Sequence, residues 1–278
     1  MGGNFDVALT VDVEEWFHVC GLSAELVVST ADFRVLANIE RLLKILARHQ
    51  ARATFFILGS MAQKVPELVP LIAAAGHELA SHGFSHELVT SLGPEEFREE
   101  LRRTADLVTS QSGSRPVGFR APQWSLSREK TPWAFDILRE EGYIYDSSLN
   151  PVRFVGNPAG PRRPFRMELS KGSLWEIPPM VAPSLAGNLP VAGGWGFRFF
   201  PQSLITGGIR SANRNGAPAV LFLHPRELDP AGPRLKLSPI RSFIAYGPRS
   251  DAAERLEALL MRYRFGTMLQ MVQAWESA

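Results

Sequence analysis

Between residues 5 and 148 an apolar, β-branched run gives way four times to a stretch of helical period, and that alternation limits the folds open to this chain more than any other property. "FDVALTVDV" (5–13) reads as a buried strand ending in carboxylates, and 33–49 sets Leu36, Ile39, Leu42, Leu43 and Leu46 on one helical face. A strand at 51–58, a helix from near Pro66 to Gly76, a short strand at 77–82 and an amphipathic helix at 93–110 with Pro94 in its first turn come next. A strand at 117–122, a helix at 131–142 and a strand at 143–148 complete the series. Parallel βα units of this kind form an open doubly wound sheet or a barrel. The Pro- and Gly-rich stretch 150–200 breaks the rhythm and reads as a long insertion. A last strand at 217–225 and a helix at 250–263 follow. The expected organisation is a single domain over 1–278, with a core of about 5–230 and a helical extension of about 231–278.

With 278 residues, 45 % of them hydrophobic, the chain can build one large core. A formal charge of +2 gives no case for nucleic acid as partner. Basic residues gather between Arg153 and Lys171, a pattern that fits a solvated loop better than an anion site. The single cysteine, Cys20, excludes an intramolecular disulfide and is expected to be a small buried hydrophobe. The first residues lack a secretory pattern and no run of 18 apolar residues occurs, so the expectation is a soluble, cytoplasmic protein without a transmembrane segment; the oligomeric state is left open.

Ionisable residues recur where the expected strands end: Asp12 and Glu14, His82 and His86, Arg120, Asp146, and His224. In barrels and open α/β sheets that edge carries the active site. Six histidines in 278 positions make about 0.13 His-x-x-x-His pairs by chance, so "SHGFSH" (81–86) stands out without settling its role. Two neutral imidazoles and a carboxylate are a common ligand set for a catalytic divalent ion that keeps positions open for water and substrate. A water activated there still needs a base, which a second carboxylate supplies, and a leaving amine needs a proton donor, for which histidine is suited.

"LTVDVEEWFHV", "TFFILG", "IAAAGHELASHGFSH", "FRAPQWS", "YDSSLNPV" and "LFLHPRELDP" resemble, in order and spacing, the motifs of the polysaccharide deacetylase family (NodB-homology, carbohydrate esterase family 4). "LPVAGGWGFRFFP" and "YRFGTM" further resemble a bacterial subgroup found with exosortase and exopolysaccharide gene clusters. The resemblance implies an α/β fold, a distorted (β/α) barrel, and metal-dependent removal of N-acetyl groups from N-acetylhexosamine-containing glycans or their precursors. It implies Asp12 as catalytic base, His82 and His86 as metal ligands, Arg120 as the group holding the base, and His224 as general acid oriented by Asp146. The cofactor is one divalent ion, zinc first, with cobalt or iron also compatible.

The chain departs from the family pattern in three places. Most members carry two adjacent aspartates in the first motif, whereas Val13 and then Glu14 follow Asp12 here. Residues i and i+2 of a strand share a face, so Glu14 is the expected third ligand and Glu15 points away unless a bulge intervenes. Gln123 stands where a tyrosine is usual; its backbone N–H is the expected oxyanion donor. The usual tryptophan after Asp146 is missing, which bears on substrate preference. Trp124 and Trp195, in loop-like segments, are candidate substrate-groove residues, while Phe199 and Phe200 are expected to pack. The same site chemistry also suits a deformylase or cyclic-amide hydrolase, and a site-decayed carbohydrate-binding protein is the least favoured alternative.

Overall fold

The computed structural model describes residues 5–19, 29–153, 155–247 and 252–277; Cys20, and with it the expectation for its burial, lies outside them. The elements in chain order are β1 (Val7–Val13), α1 (Val35–Arg48), β2 (Thr54–Ile57), α2 (Gly59–Lys64), α3 (Leu68–Ala74), β3 (Glu78–Ser81) and α4 (Pro94–Ser112). Then come β4 (Gly118–Phe119), α5 (Pro132–Glu140), β5 (Tyr145–Asp146), β6 (Phe165–Leu169), β7 (Gly172–Glu176), β8 (Ala182–Ser184), β9 (Gly187–Leu189), α6 (Gly194–Phe199) and α7 (Gln202–Arg214). The chain finishes with β10 (Ala219–Leu223), α8 (Pro239–Tyr246), α9 (Ala252–Leu260), β11 (Phe265–Gly266) and α10 (Met268–Glu276).

The main sheet runs β10-β1-β2-β3-β4-β5-β7-β6, parallel throughout except for the β6–β7 hairpin, and β11 pairs with the start of β1. This is the expected distorted barrel: an α/β fold whose sheet curls but does not close by strand pairing. Single backbone bonds reach across the opening, from Met180 N–H to Val220 C=O (3.0 Å) and from Phe222 N–H to Ala192 C=O (3.0 Å). The 150–200 stretch is more than an insertion, because its β6 and β7 extend the main sheet beyond β5. "FRMEL" and "GSLWE" alternate as strands do; the Pro and Gly residues around them hide the period.

Alternation along the strands divides the apolar residues between two faces. Val7, Leu9, Val11 and Val13 of β1 point outward and pack with Ile39, Leu42 and Leu46 of α1. Ala8, Phe56, Ala80, Tyr145 and Val220 point into the barrel, where Met268, Met271 and Val272 of α10 close its floor. Glu78 fixes that floor, accepting from the Tyr145 hydroxyl (2.6 Å), the Thr54 hydroxyl (2.6 Å) and the Leu269 N–H (3.0 Å) at the start of α10. Gly118 makes room for this arrangement: a Cβ there would lie 1.9 Å from the Tyr145 ring. No helix among the described residues is long and apolar enough to cross a membrane.

Candidate metal and acid–base centre

The strand ends bring six of the seven ionisable residues together. β1 stops in a tight turn, with Glu14 N–H donating to Asp12 C=O at 2.8 Å, and both side chains are buried on the barrel rim. Asp12 Oδ1 accepts from Arg120 Nη1 at 2.7 Å. Arg120 is completely buried, and it also donates to Thr10 Oγ1 (2.8 Å), Ser147 C=O (3.2 Å) and Ser147 Oγ (3.0 Å). Its guanidinium lies over the Phe56 ring at 4.2 Å and the Trp124 ring at 4.8 Å. One carboxylate oxygen of Asp12 is therefore fixed by a charge-assisted bond, and the other faces the rim.

Glu14 Oε1 lies 3.2 Å from His82 Nε2 and 3.0 Å from His86 Nε2, with all three side chains buried. His82 Nδ1 donates to the Arg120 carbonyl at 2.7 Å, which leaves Nε2 as the atom presented to the centre. The "SHGFSH" loop is held on both sides. Gly59 and Ser60 N–H groups donate to the carbonyls of Gly83 and Phe84 (both 2.9 Å), and Glu100 Oε2 accepts from the N–H groups of Phe84 (2.6 Å) and Ser85 (2.8 Å). His86 sits at φ +69°, a left-handed conformation a non-glycine residue keeps only under such constraint. Burial pushes the Glu14 carboxyl up, but the charges of His86 and His224 and the imidazole bonds outweigh it and hold the group well below the usual range. Three convergent, buried acceptor groups of this kind fit a divalent ion. Glu15 turns the other way, accepting from the N–H groups of Arg34 (2.6 Å), Val35 (2.7 Å) and Trp16 (2.9 Å) and so capping α1.

His224, just past β10, places Nε2 3.9 Å from both Asp12 Oδ2 and Glu14 Oε2. Its expected partner, Asp146, is elsewhere. On β5 Tyr145 points into the barrel, so Asp146 points outward, where it accepts from Ser148 Oγ at 2.5 Å and lies in register with Glu176 of β7. Burial raises the pKa of both these carboxyls, and the Asp146 charge raises that of Glu176 further. The acid facing His224 Nδ1 is Glu227, with Oε1 at 3.7 Å, one helical turn further on. Burial would push Glu227 up, yet contact with His224 and the nearby Arg198 guanidinium (3.5 Å) hold it at about 2.

Sequence reasoning passed over Glu227, Arg198 and Arg226. Arg226 Nη1 donates to Glu14 Oε2 at 2.9 Å. The only pointer in the sequence was "HPRE", where an acid three residues after a histidine suits a tight turn. His18 also lines the site, its ring centroid 4.9 Å from that of His86, and burial lowers its pKa to about 3, keeping it neutral. Gln123 (φ +51°) and Trp124 (φ +58°) form a left-handed turn after the Ala121–Pro122 step that follows Arg120, and Trp124 packs edge-on to Phe222 at 5.0 Å. Trp195 is drawn into a different cluster, among Phe199, Phe200 and Phe243.

Fold and rim together define a curled α/β half-barrel with a carboxylate–arginine pair beside a Glu-His-His cluster. Residues 22–142 match the polysaccharide deacetylase family, and residues 147–273 match a domain of unknown function (DUF3473). The chain is 35 % identical over 124 residues to the peptidoglycan deacetylase-like protein FGM2 of Gibberella zeae, covering 44 % of this chain and 36 % of that protein. It is 30 % identical over 111 residues to the peptidoglycan-N-acetylglucosamine deacetylase of Bacillus cereus, covering 40 % of each. The matches thus span well under half of these relatives' own length. A crystal structure from Mycobacterium smegmatis, named for polysaccharide deacetylase, superposes with a TM-score of 0.66 at 25 % identity over 98 % of this chain and 90 % of that one. Over residues 22–142 the chain is similar to the polysaccharide deacetylase family, and its fold as a whole to that of the Mycobacterium smegmatis structure.

Proposed function

We propose that the protein is a metal-dependent hydrolase that removes N-acetyl groups from an N-acetylhexosamine-containing glycan or glycan precursor. The observation that carries this is the single rim on which Arg120-bound Asp12, the Glu14–His82–His86 cluster and His224 meet. A divalent ion held by Glu14, His82 and His86, with zinc the first choice and cobalt or iron compatible, would supply Lewis acidity toward the acetamide carbonyl and acidify the attacking water. Asp12, with one oxygen held by Arg120, takes the proton of that water. His224 Nε2, on the same rim, delivers a proton to the departing amine, and acetate and the free amine result. Glu227 faces Nδ1 of that ring and favours the tautomer and charge the transfer requires. The backbone N–H at Gln123 and the face of Trp124 form the substrate side, the first as oxyanion donor. Resemblance to the exopolysaccharide-locus subgroup favours a glycan precursor over mature cell wall.

The test pairs metal content with acetate released from N-acetylated oligosaccharides, for wild type, His82→Ala and His86→Ala. The expected outcome is close to one ion per wild-type chain, lost together with acetate release in both variants. A well-folded wild type that takes up neither zinc nor cobalt and releases no acetate would sink the proposal.

A further inference from the structure

Beside His224 the molecule carries an apolar face that the proposed chemistry leaves unused. α6 and α8 pack against each other, and Trp195 and Phe199 of α6 each meet Phe243 of α8 with ring centroids 5.8 Å apart. The outer side of this cluster is open: Ile240 is 75 % exposed, Phe199 50 %, Ile244 43 % and Phe243 42 %. Ile240, Phe243 and Ile244 stand at i, i+3 and i+4, so α8 turns an apolar stripe outward where a surface helix normally turns polar residues. Around it, residues 231–247 hold Arg234, Lys236 and Arg241, all exposed, and no acid.

We propose that this face docks on an anionic lipid surface, with the aromatic and isoleucine side chains entering the headgroup region and the basic residues meeting the lipid phosphates. Aromatic and branched aliphatic side chains ringed by Arg and Lys are what interfacial binding uses. A sugar subsite would place hydrogen-bonding side chains beside the rings, whereas the neighbours here are isoleucines and phenylalanines. Pairing with a second copy through a twofold axis would set two basic rims against each other. The face is also coupled to the catalytic rim. Arg198 of α6 donates to the carbonyls of Ala245 (3.3 Å) and Gly247 (3.1 Å) at the end of α8, while its Nε lies 3.5 Å from Glu227. If the deacetylase proposal holds, a glycan anchored in the same bilayer would meet the protein on the side of His224; docking itself does not rest on that proposal.

The test is flotation of the full chain with phosphatidylcholine vesicles, with and without about 30 mol % phosphatidylglycerol, at about 0.1 M salt. Wild type is expected to float with the anionic vesicles and to be released as salt is raised. The combined exposed-face variant Ile240→Ser, Phe243→Ser, Ile244→Ser should lower the bound fraction about tenfold, and Arg234→Glu with Lys236→Glu should abolish the preference for anionic lipid. Acetate release from a soluble substrate, measured in parallel, reports on the catalytic proposal separately. Folded wild type that ignores both vesicle types overturns the docking proposal. So does a concentration-dependent dimer, dispersed by the serine variant, that binds no vesicles, because it would assign the face to a second copy.

Discussion

Among the described residues the buried acid that faces His224 Nδ1 is Glu227 rather than Asp146. Glu227→Gln should therefore lower kcat of acetate release by about ten- to a hundredfold while leaving the bound metal in place. Asp146→Asn, on the outer face of the sheet and away from His224, should leave kcat within about twofold of wild type. Steady-state rates with metal analysis on the same preparations check both, and the opposite ranking would restore Asp146 to the role its motif implies. The residues that could be read from the sequence were those on strands with a clear phase. Asp12 lies near the end of a long strand and Glu14 just past it, so their shared face follows from the i, i+2 spacing. Asp146 belongs to a two-residue strand whose inward member is Tyr145, and a polar residue at a strand end says nothing of its face until that phase is known. Glu227 acts from a short turn and has no period to betray it.

At the scale of elements, β5 and β7 are joined by a buried carboxyl pair, and α6 is seated by glycine. The folded state raises the pKa of Glu176 well above its ordinary value, so over the interval between the two the folded chain binds more proton than the unfolded one. That contribution is present below the ordinary carboxylate range and is lost as pH rises. Glu176→Gln keeps a donor toward Asp146 and should raise stability at pH 8 by about 1 kcal/mol, with a smaller gain in acid; urea unfolding at two pH values measures it. His77 works in the opposite sense. Burial, helped by the Arg52 charge, lowers its pKa from 6.5 to about 4, so stability is full above 6.5 and falls as pH drops toward 4. His77→Asn should flatten the Tm profile across that window. Gly196→Ala would set a Cβ 1.6 Å from the Pro190 carbonyl oxygen and should cost about 1–3 kcal/mol by displacing α6. None of these contacts was legible in advance, since each joins segments whose pairing only the folded sheet decides.

At the scale of the molecule, the centre is assembled across both family matches. His82, His86 and Arg120 lie within residues 22–142, His224 and Glu227 within 147–273, and Asp12 and Glu14 precede both. The second stretch therefore completes the sheet and the rim of the first. It also supplies the barrel floor: Met271→Ala should cost about 2–5 kcal/mol, readable as a drop in Tm, because α10 fills the interior beneath the centre.

β1 pairs with β2 and the short β11 on one side and with β10 on the other, and the Thr10 hydroxyl donates to a carbonyl 211 residues away. During synthesis, then, β1 can meet β2 early, but its β10 side waits for about 200 further residues. Until β10 emerges, one backbone edge of β1 waits without its partner, which makes the nascent chain a natural client for chaperones and its maturation slow.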